Sequence, residues 1–291
     1  MSTRDEKLTQ VLKRVDSLPT LPTVVSQLIE MLNDPKTQSR QLAEVIAADP
    51  SLSSSVLKLA NSAYYGARGK VSTIGQAIVI LGFSALRSVV LGASVVQVFD
   101  SPVTQTGSFR ADTFWPHAVG TAAAAASVAR IMELPRPEDS FTAGLLHGVG
   151  LLVLDQYFND VMRSIQERVE DGGLTLLEAE EEELGFDHPY LGSHLLKLWG
   201  LPKQVVDAVE YQTQLDALSG DRRLAATVHL GDIFSRTLGY GDAGEPTLPA
   251  VQPLALEALG LTSSALPVMV EMVDSDIERA SVFLEACRNA G

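Results

Sequence analysis

The sequence predicts an all-α protein built of two helical lobes, and three observations lead there. Apolar residues recur three and four positions apart through most segments, the period of a helix with one buried face. Those segments are bounded by helix punctuation, with Asp, Thr or Pro at their starts and Gly or Pro beyond their ends. No part of residues 8–99 reads as alternating strands. The 291 residues, 46% hydrophobic and 20% charged, can bury a sizeable core in one large domain or two lobes.

Leu18-Pro-Thr-Leu-Pro22 is a rigid lead into a helix that carries Val24, Val25, Leu28, Met31 and Leu32, stopped by Asn33-Asp34-Pro35. Leu42, Val45 and Ile46 mark a second short helix. Asp49-Pro50 opens a third, with proline at a position where its missing N–H leaves no bond unmade. A basic loop, Arg68-Gly-Lys70, follows Tyr64-Tyr65-Gly66. Thr73 and Gln76 then have capping-box spacing for a fourth helix, which runs to Gly82. Ser84 can cap a fifth, with Leu86, Val89, Val90 and Val96 facing inward.

Residues 1–17 read as an N-terminal extension and 18–107 as the first lobe, closed by a polar turn from Asp100 to Gly107. Residues 108–291 form the second lobe. Asp112 opens a long helix through Trp115, His117 and the alanine run 122–126 to Arg130, where small side chains let a neighbouring helix come close. After Leu134-Pro-Arg-Pro137, Asp139 or Ser140 opens a helix ending at His147, Gly148 and Gly150. Helices over Leu151–Tyr157 and Val161–Val169 follow. Thr175 and Glu178 form a second capping box, and Glu180 to Glu183 read as a solvated face. Asp187 caps a helix with His188, Leu191, Leu195 and Leu198, and Pro202 starts one that reaches Tyr211. Leu224–Leu238 holds His229 and Asp232, a Gly- and Pro-rich loop spans 239–253, and two helices near 254–273 and 275–288 complete the chain.

The net charge of −14, with no basic cluster, repels phosphate backbones and anionic membranes, so direct nucleic-acid binding is not expected. Cys287 is the single cysteine and cannot form an intrachain disulfide, which fits a reducing compartment. The charged N-terminus leads into no apolar signal region. Val71–Leu86 lacks charge but is interrupted by Gly75 and Gly82, so it reads as buried helix in a cytoplasmic protein without membrane insertion. Cys287 has no base near it in sequence, and the glycines at 144, 148 and 150 follow no strand, so neither makes a catalytic or dinucleotide motif.

Taken together, these stations resemble the HDOD family, the HD-related output domain. In the first half the resemblance rests on Leu18-Pro-Thr-Leu-Pro22, Ile46-Ala-Ala-Asp-Pro50, Leu59-Ala-Asn-Ser-Ala-Tyr64-Tyr-Gly66 and Ile74-Gly-Gln-Ala-Ile78. In the second it rests on Trp115-Pro-His117, Gly144-Leu-Leu-His147, Gly185-Phe-Asp-His188, Trp199-Gly-Leu-Pro202 and His229-Leu-Gly-Asp232. It implies kinship with HD-type metal phosphohydrolases, in which imidazoles and carboxylates from several helices hold divalent ions that activate water against a phosphate ester. It implies a signalling module of bacteria, here in stand-alone form. The implied partners are kinases, response regulators or cyclic-di-nucleotide enzymes.

Matched residue by residue, His117, His147, His188 and Asp232 fall where HD ligands would sit. Gly148 stands where an aspartate is expected, and Gln212 where a histidine is. Removing a carboxylate removes the charge that offsets the cation, and an amide oxygen is a weak replacement. The expectation is therefore a vestigial pocket of His117, His147, Gly148, His188, Gln212 and Asp232, with no catalytic residue and no resident cofactor. If any ion is kept, its ligands come from His117, His147, His188 and Asp232. The reading that follows is a non-catalytic regulatory protein acting through protein–protein contacts. A nucleotide sensor using the same pocket is the alternative, and a residual phosphohydrolase ranks third.

Overall fold

The computed structural model describes residues 3–13, 18–65, 69–99, 111–241, 244 and 247–288, without the side chains of 111 and 112. Among them the fold is all-α, with no strand. The polar turn predicted over Asp100–Gly107, the lobe boundary within it, and Gly66 and Arg68 of the basic loop lie outside the described residues.

The first half contains α1 (Arg4–Leu12), α2 (Thr23–Asn33), α3 (Ser39–Ala47), α4 (Pro50–Ala60) and α5 (Ile74–Phe99). Residues 1–17, read as an extension, thus hold a helix. Thr3 and Glu6 close a capping box at its start, Leu8 is buried, and the Arg4 guanidinium donates to Glu181 at 2.8 Å. The Thr3/Glu6 spacing was the available signal for it. Asp49 caps α4 by accepting from the Leu52 N–H. Thr73 accepts from the Gln76 N–H, while Gln76 Oε1 reaches one residue further back, to the Ser72 N–H at 3.1 Å.

Helix α5 breaks at Gly82, whose φ of 72° and ψ of 173° suit glycine and few other residues. The break turns the second half of α5 into the core, where Ala85 to Val96 are buried without interruption. By length and composition α5 could cross a membrane, yet 72% of its most apolar stretch is buried inside the protein. That is the pattern of a central core helix.

The second half comprises α6 (Ala111–Ile131), α7 (Pro137–Leu146), α8 (Val149–Tyr157), α9 (Asn159–Glu170), α10 (Leu176–Leu184), α11 (His188–Leu198), α12 (Lys203–Tyr211), α13 (Arg223–Thr237), α14 (Pro253–Leu259), α15 (Leu266–Ala280) and α16 (Val282–Arg288). Helix α7 starts at Pro137, ahead of the predicted Asp139 or Ser140. Asp139 is instead buried, 3.3 Å from the Arg136 guanidinium, and accepts from Gln204 at 2.8 Å. The chain ends in three helices where two were predicted, because Gly260 caps α14 with a φ of 66°.

The alanine run lies at the centre, as its small side chains predict. Ala122 to Ala126 are fully buried while α6 packs against α7, α13 and α15. The last helix, α16, crosses back to α4, α5 and α6. Phe283 there stacks at 5.0 Å on Phe141, and Ser55 Oγ donates to the Ala286 carbonyl at 3.0 Å. One continuous apolar core therefore runs from Leu8 to Cys287.

Candidate functional site

Two glycines set the pocket by letting helices touch α6. A Cβ at Gly144 on α7 would stand 2.8 Å from the Ala122 Cα, and one at Gly231 on α13 would stand 2.7 Å from the Thr121 carbonyl oxygen. Any side chain there would push its helix away. With glycine, His147 at the end of α7 and Asp232 on α13 both reach His117 on α6. The ligand atoms of these three residues all lie within 4.8 Å of one another.

His147 Nδ1 is 2.7 Å from the Gly144 carbonyl oxygen. A carbonyl only accepts, so Nδ1 carries the proton and Nε2 is left with its lone pair. Burial, followed by the nearby His117, pushes His147 down to about 3 against the pull of Asp232, so the ring is neutral at pH 7. Its ring meets that of His117 edge-on at 5.0 Å.

Asp232 behaves in the opposite way. Burial acts to raise its pKa, but contact with His117, the neighbouring His147 and the Arg236 guanidinium hold the carboxyl well below the usual carboxylate range. Asp232 Oδ2 is 3.7 Å from Arg236. Its Oδ1 lies 3.1 Å from His117 Nε2, without the alignment of a directed hydrogen bond. His117 is fully buried, and neither ring nitrogen has a hydrogen-bond partner among the described residues.

His188 is not among the three clustered ligands, although it is near enough for its charge to act on His147. Its Nδ1 lies 2.9 Å from one oxygen of Glu180 and 3.0 Å from the other, and its backbone N–H donates to the same carboxylate at 2.7 Å. The acidic run was predicted to be solvated throughout. Glu181, Glu182 and Glu183 are exposed, but Glu180 is fully buried and holds His188. Sequence reasoning missed it, although Glu180 sits four residues after Leu176 and four before Leu184, on the apolar stripe of α10.

The two departures from the HD pattern are built into the packing. A Cβ at Gly148 would stand 2.8 Å from the ring of Phe114, so an aromatic side chain occupies the space an aspartate would need. Phe114 is buried and packs edge-on against Trp115 at 5.2 Å. Gln212 turns its amide to the backbone, donating to the His147 carbonyl at 3.0 Å and the Val209 carbonyl at 3.2 Å. His229, on the same helix as Asp232, accepts from the Gln252 N–H at 3.0 Å. His194 is half-buried.

For chemistry, the donor set fits one divalent ion: two neutral-capable imidazoles and one ionised carboxylate, with polar atoms in want of a partner. It does not fit a bridged pair. The carboxylate that would bridge is missing, and the Phe114 ring crowds the position of a Cβ there.

An all-helical fold with HD-type stations on α6, α7 and α13, and an incomplete ligand set, defines an HD-related helical module. The HDOD domain family profile matches residues 18–215, and the chain belongs to that family. It is similar to an HDOD domain protein of unknown function from Geobacter sulfurreducens, at 27% identity and a TM-score of 0.79 over 96% of this chain and 97% of the other. A candidate phosphohydrolase from Shewanella amazonensis is 25% identical, with a TM-score of 0.74 over 95% and 98% of the two chains. An uncharacterised Treponema pallidum protein is 24% identical over 209 residues. That match takes in 69% of this chain and 39% of the relative's length.

Proposed function

We propose that this HDOD protein is a non-catalytic regulator in a bacterial signalling pathway, acting in the cytoplasm through contacts with other proteins. Its partners would be signalling proteins such as kinases, response regulators or cyclic-di-nucleotide enzymes. The observation that supports the reading is that residue 148 is glycine, with the Phe114 ring 2.8 Å from where its Cβ would stand. A two-ion centre stabilises both the attacking and the leaving oxygen of a phosphoester. With the bridging carboxylate replaced by packing and Gln212 tied to the His147 carbonyl, that centre has lost two of its six stations. What remains is a helical scaffold around one apolar core, suited to presenting surfaces. The phosphohydrolase name of the Shewanella relative points the other way, but this chain's own residues argue against turnover.

The test is metal content and hydrolysis measured on the same purified protein. With Mn²⁺ or Mg²⁺ added, bis(p-nitrophenyl) phosphate and cyclic dinucleotides should remain uncut, and no more than one ion per chain should be found. Two ions per chain, with turnover that a chelator abolishes, would overturn the reading.

A second reading has an observation of its own. The nitrogens of buried His117, neither of which makes a directed hydrogen bond, favour a single bound ion, shared with His147 and Asp232, that serves structure or sensing. A divalent ion that binds only the folded state should raise the melting temperature in proportion to the logarithm of its concentration, and Asp232→Asn should remove that rise. No shift with Zn²⁺, Mn²⁺ or Fe²⁺ would dismiss it.

A further inference from the structure

We infer that the outward face of the first half of α5 docks an acidic, amphipathic segment of a partner protein. The inference rests on the partner-binding function proposed above and names its surface. The starting point is a gap in the charge pattern. Residues 50–99 contain no Asp or Glu, although the chain has 36, and at the average density about six would fall there. The same stretch holds Lys58, Arg68, Lys70 and Arg87, so it carries +4 while the other 241 residues carry −18.

Two of these cations are already committed. Arg87 is buried beside Asp139 at 3.7 Å, and Lys58 lies 3.8 Å from Glu285. Lys70 is exposed and has no acidic partner among the described residues. It borders an open groove of about 620 Å³, lined by Gly69, Val71, Gly75, Gln76, Val79 and Ile80. Val79 is 80% exposed and Ile80 41% exposed, while Ala77, Ile78 and Leu81 of the same helix are buried. Among the described residues the helix thus presents an apolar strip that nothing covers, next to a cation with no acidic partner.

The groove is also preformed. Asn61 clamps Val71 in the groove lining: its Oδ1 accepts from the Val71 N–H at 2.8 Å, and its Nδ2 donates to the Val71 carbonyl at 2.8 Å. Gln76 fastens the turn at the head of the helix through the Ser72 N–H. A surface already held in shape loses little entropy when a ligand settles on it.

Charge decides what settles. A second apolar strip, Val268 and Met272 on α15, is just as exposed at 78% and 52%, but Glu271, Asp274 and Asp276 share its helix. Of these two strips, the α5 face pairs apolar area with positive charge and carries no acid. An amphipathic helix with acidic flanks satisfies both, its aliphatic side chains on Val79 and Ile80 and its carboxylates on Lys70. A lipid surface is the less favoured occupant, because the remaining −18 would face anionic headgroups.

The test uses the full chain and two labelled peptides of about 18 residues, each with leucines on one helical face, one with glutamates and the other with lysines on the opposite face. The glutamate peptide should bind at least about tenfold tighter than its lysine twin, and salt should weaken it. Val79→Glu should weaken binding about tenfold and Lys70→Glu about threefold, whereas Val268→Glu on the acidic strip should leave it unchanged. Equal binding of the twins, no binding, or equal effects of Val79→Glu and Val268→Glu would overturn the inference. Self-association in sedimentation that Val79→Glu abolishes would also overturn it, assigning the face to a second copy. So would capture on phosphatidylserine vesicles lost in the same variant, assigning it to lipid. None of these results changes the metal content or hydrolysis by which the regulatory function itself is judged.

Discussion

The pocket has two halves that treat polar groups in opposite ways. In one, His117, His147 and Asp232 keep their ligand atoms within 4.8 Å, and His117 has no hydrogen bond for either nitrogen. In the other, Gly148 gives its space to Phe114, and Gln212 spends its amide on two backbone carbonyls. The first half is polar and under-satisfied; the second is packed and satisfied. Buried polar groups in a settled core are nearly always paired. The contrast predicts that the packed half contributes more to stability than the ligand half.

The sharpest way to break this comparison is to reverse the conversion. Gly148→Asp drives a Cβ to 2.8 Å from the Phe114 ring and places a carboxylate in a buried position. Overpacking and an unpaired buried charge together should cost about 4 kcal/mol in urea denaturation. In a Phe114→Ala background the same substitution should cost less by at least about 1.5 kcal/mol, since the two residues compete for one space. Additive losses would mean that Phe114 is not what excludes the aspartate.

Gln212→Ala comes next. It strips a donor from the His147 and Val209 carbonyls inside a closed site, and about 1–2 kcal/mol of stability should go with it. The expectation for the other half has a different size. His117→Leu removes the contact that lowers the Asp232 pKa, but it also removes two buried nitrogens without a directed hydrogen bond and leaves Asp232 its contact with Arg236; the effects offset, and the change should stay within about 1 kcal/mol of zero. If His117→Leu destabilised the fold more than Gln212→Ala, the division into a settled and an unsettled half would be wrong.

How far the sequence could be read follows the same division between local and distant causes. Asp49, Thr175 and Asp187 cap their helices as the spacing predicts, because a cap bonds to an N–H two or three residues away. The stations at His117, His147 and Asp232 were legible through the family resemblance, and the structure brings those three together. Phe114 was not legible, because its role comes from where α6 crosses the turn between α7 and α8, and no local pattern encodes a crossing. Glu180 was hidden for a related reason: four glutamates in a row resemble a solvated face until the rotation of α10 against His188 is known. The third C-terminal helix was lost at Gly260, where a left-handed cap divides what periodicity alone reads as continuous.

The smallest effect lies at the rim, where His229 tests whether satisfaction of a buried imidazole is itself stabilising. Its Nε2 accepts the Gln252 N–H, a bond that exists only while that nitrogen is unprotonated. Burial lowers the pKa of His229, more than the charge of Asp232 and the neighbouring backbone carbonyls raise it. In the unfolded chain the ring takes up its proton near pH 6.5, so between that value and the lower folded one the unfolded state binds more protons. The contribution of His229 is therefore complete above about pH 6.5 and declines as the pH falls toward the folded value. The slope should be below the limit of about 1.4 kcal/mol per pH unit that one fully linked proton gives. Exchange of the Gln252 amide should quicken over the same range, beyond the intrinsic pH trend of amides that do not depend on an imidazole. His229→Gln keeps an acceptor on α13 but cannot titrate, so it should flatten both dependences. An unchanged slope in that variant would move the acid sensitivity to the unsettled half of the pocket and erase the distinction drawn between the two.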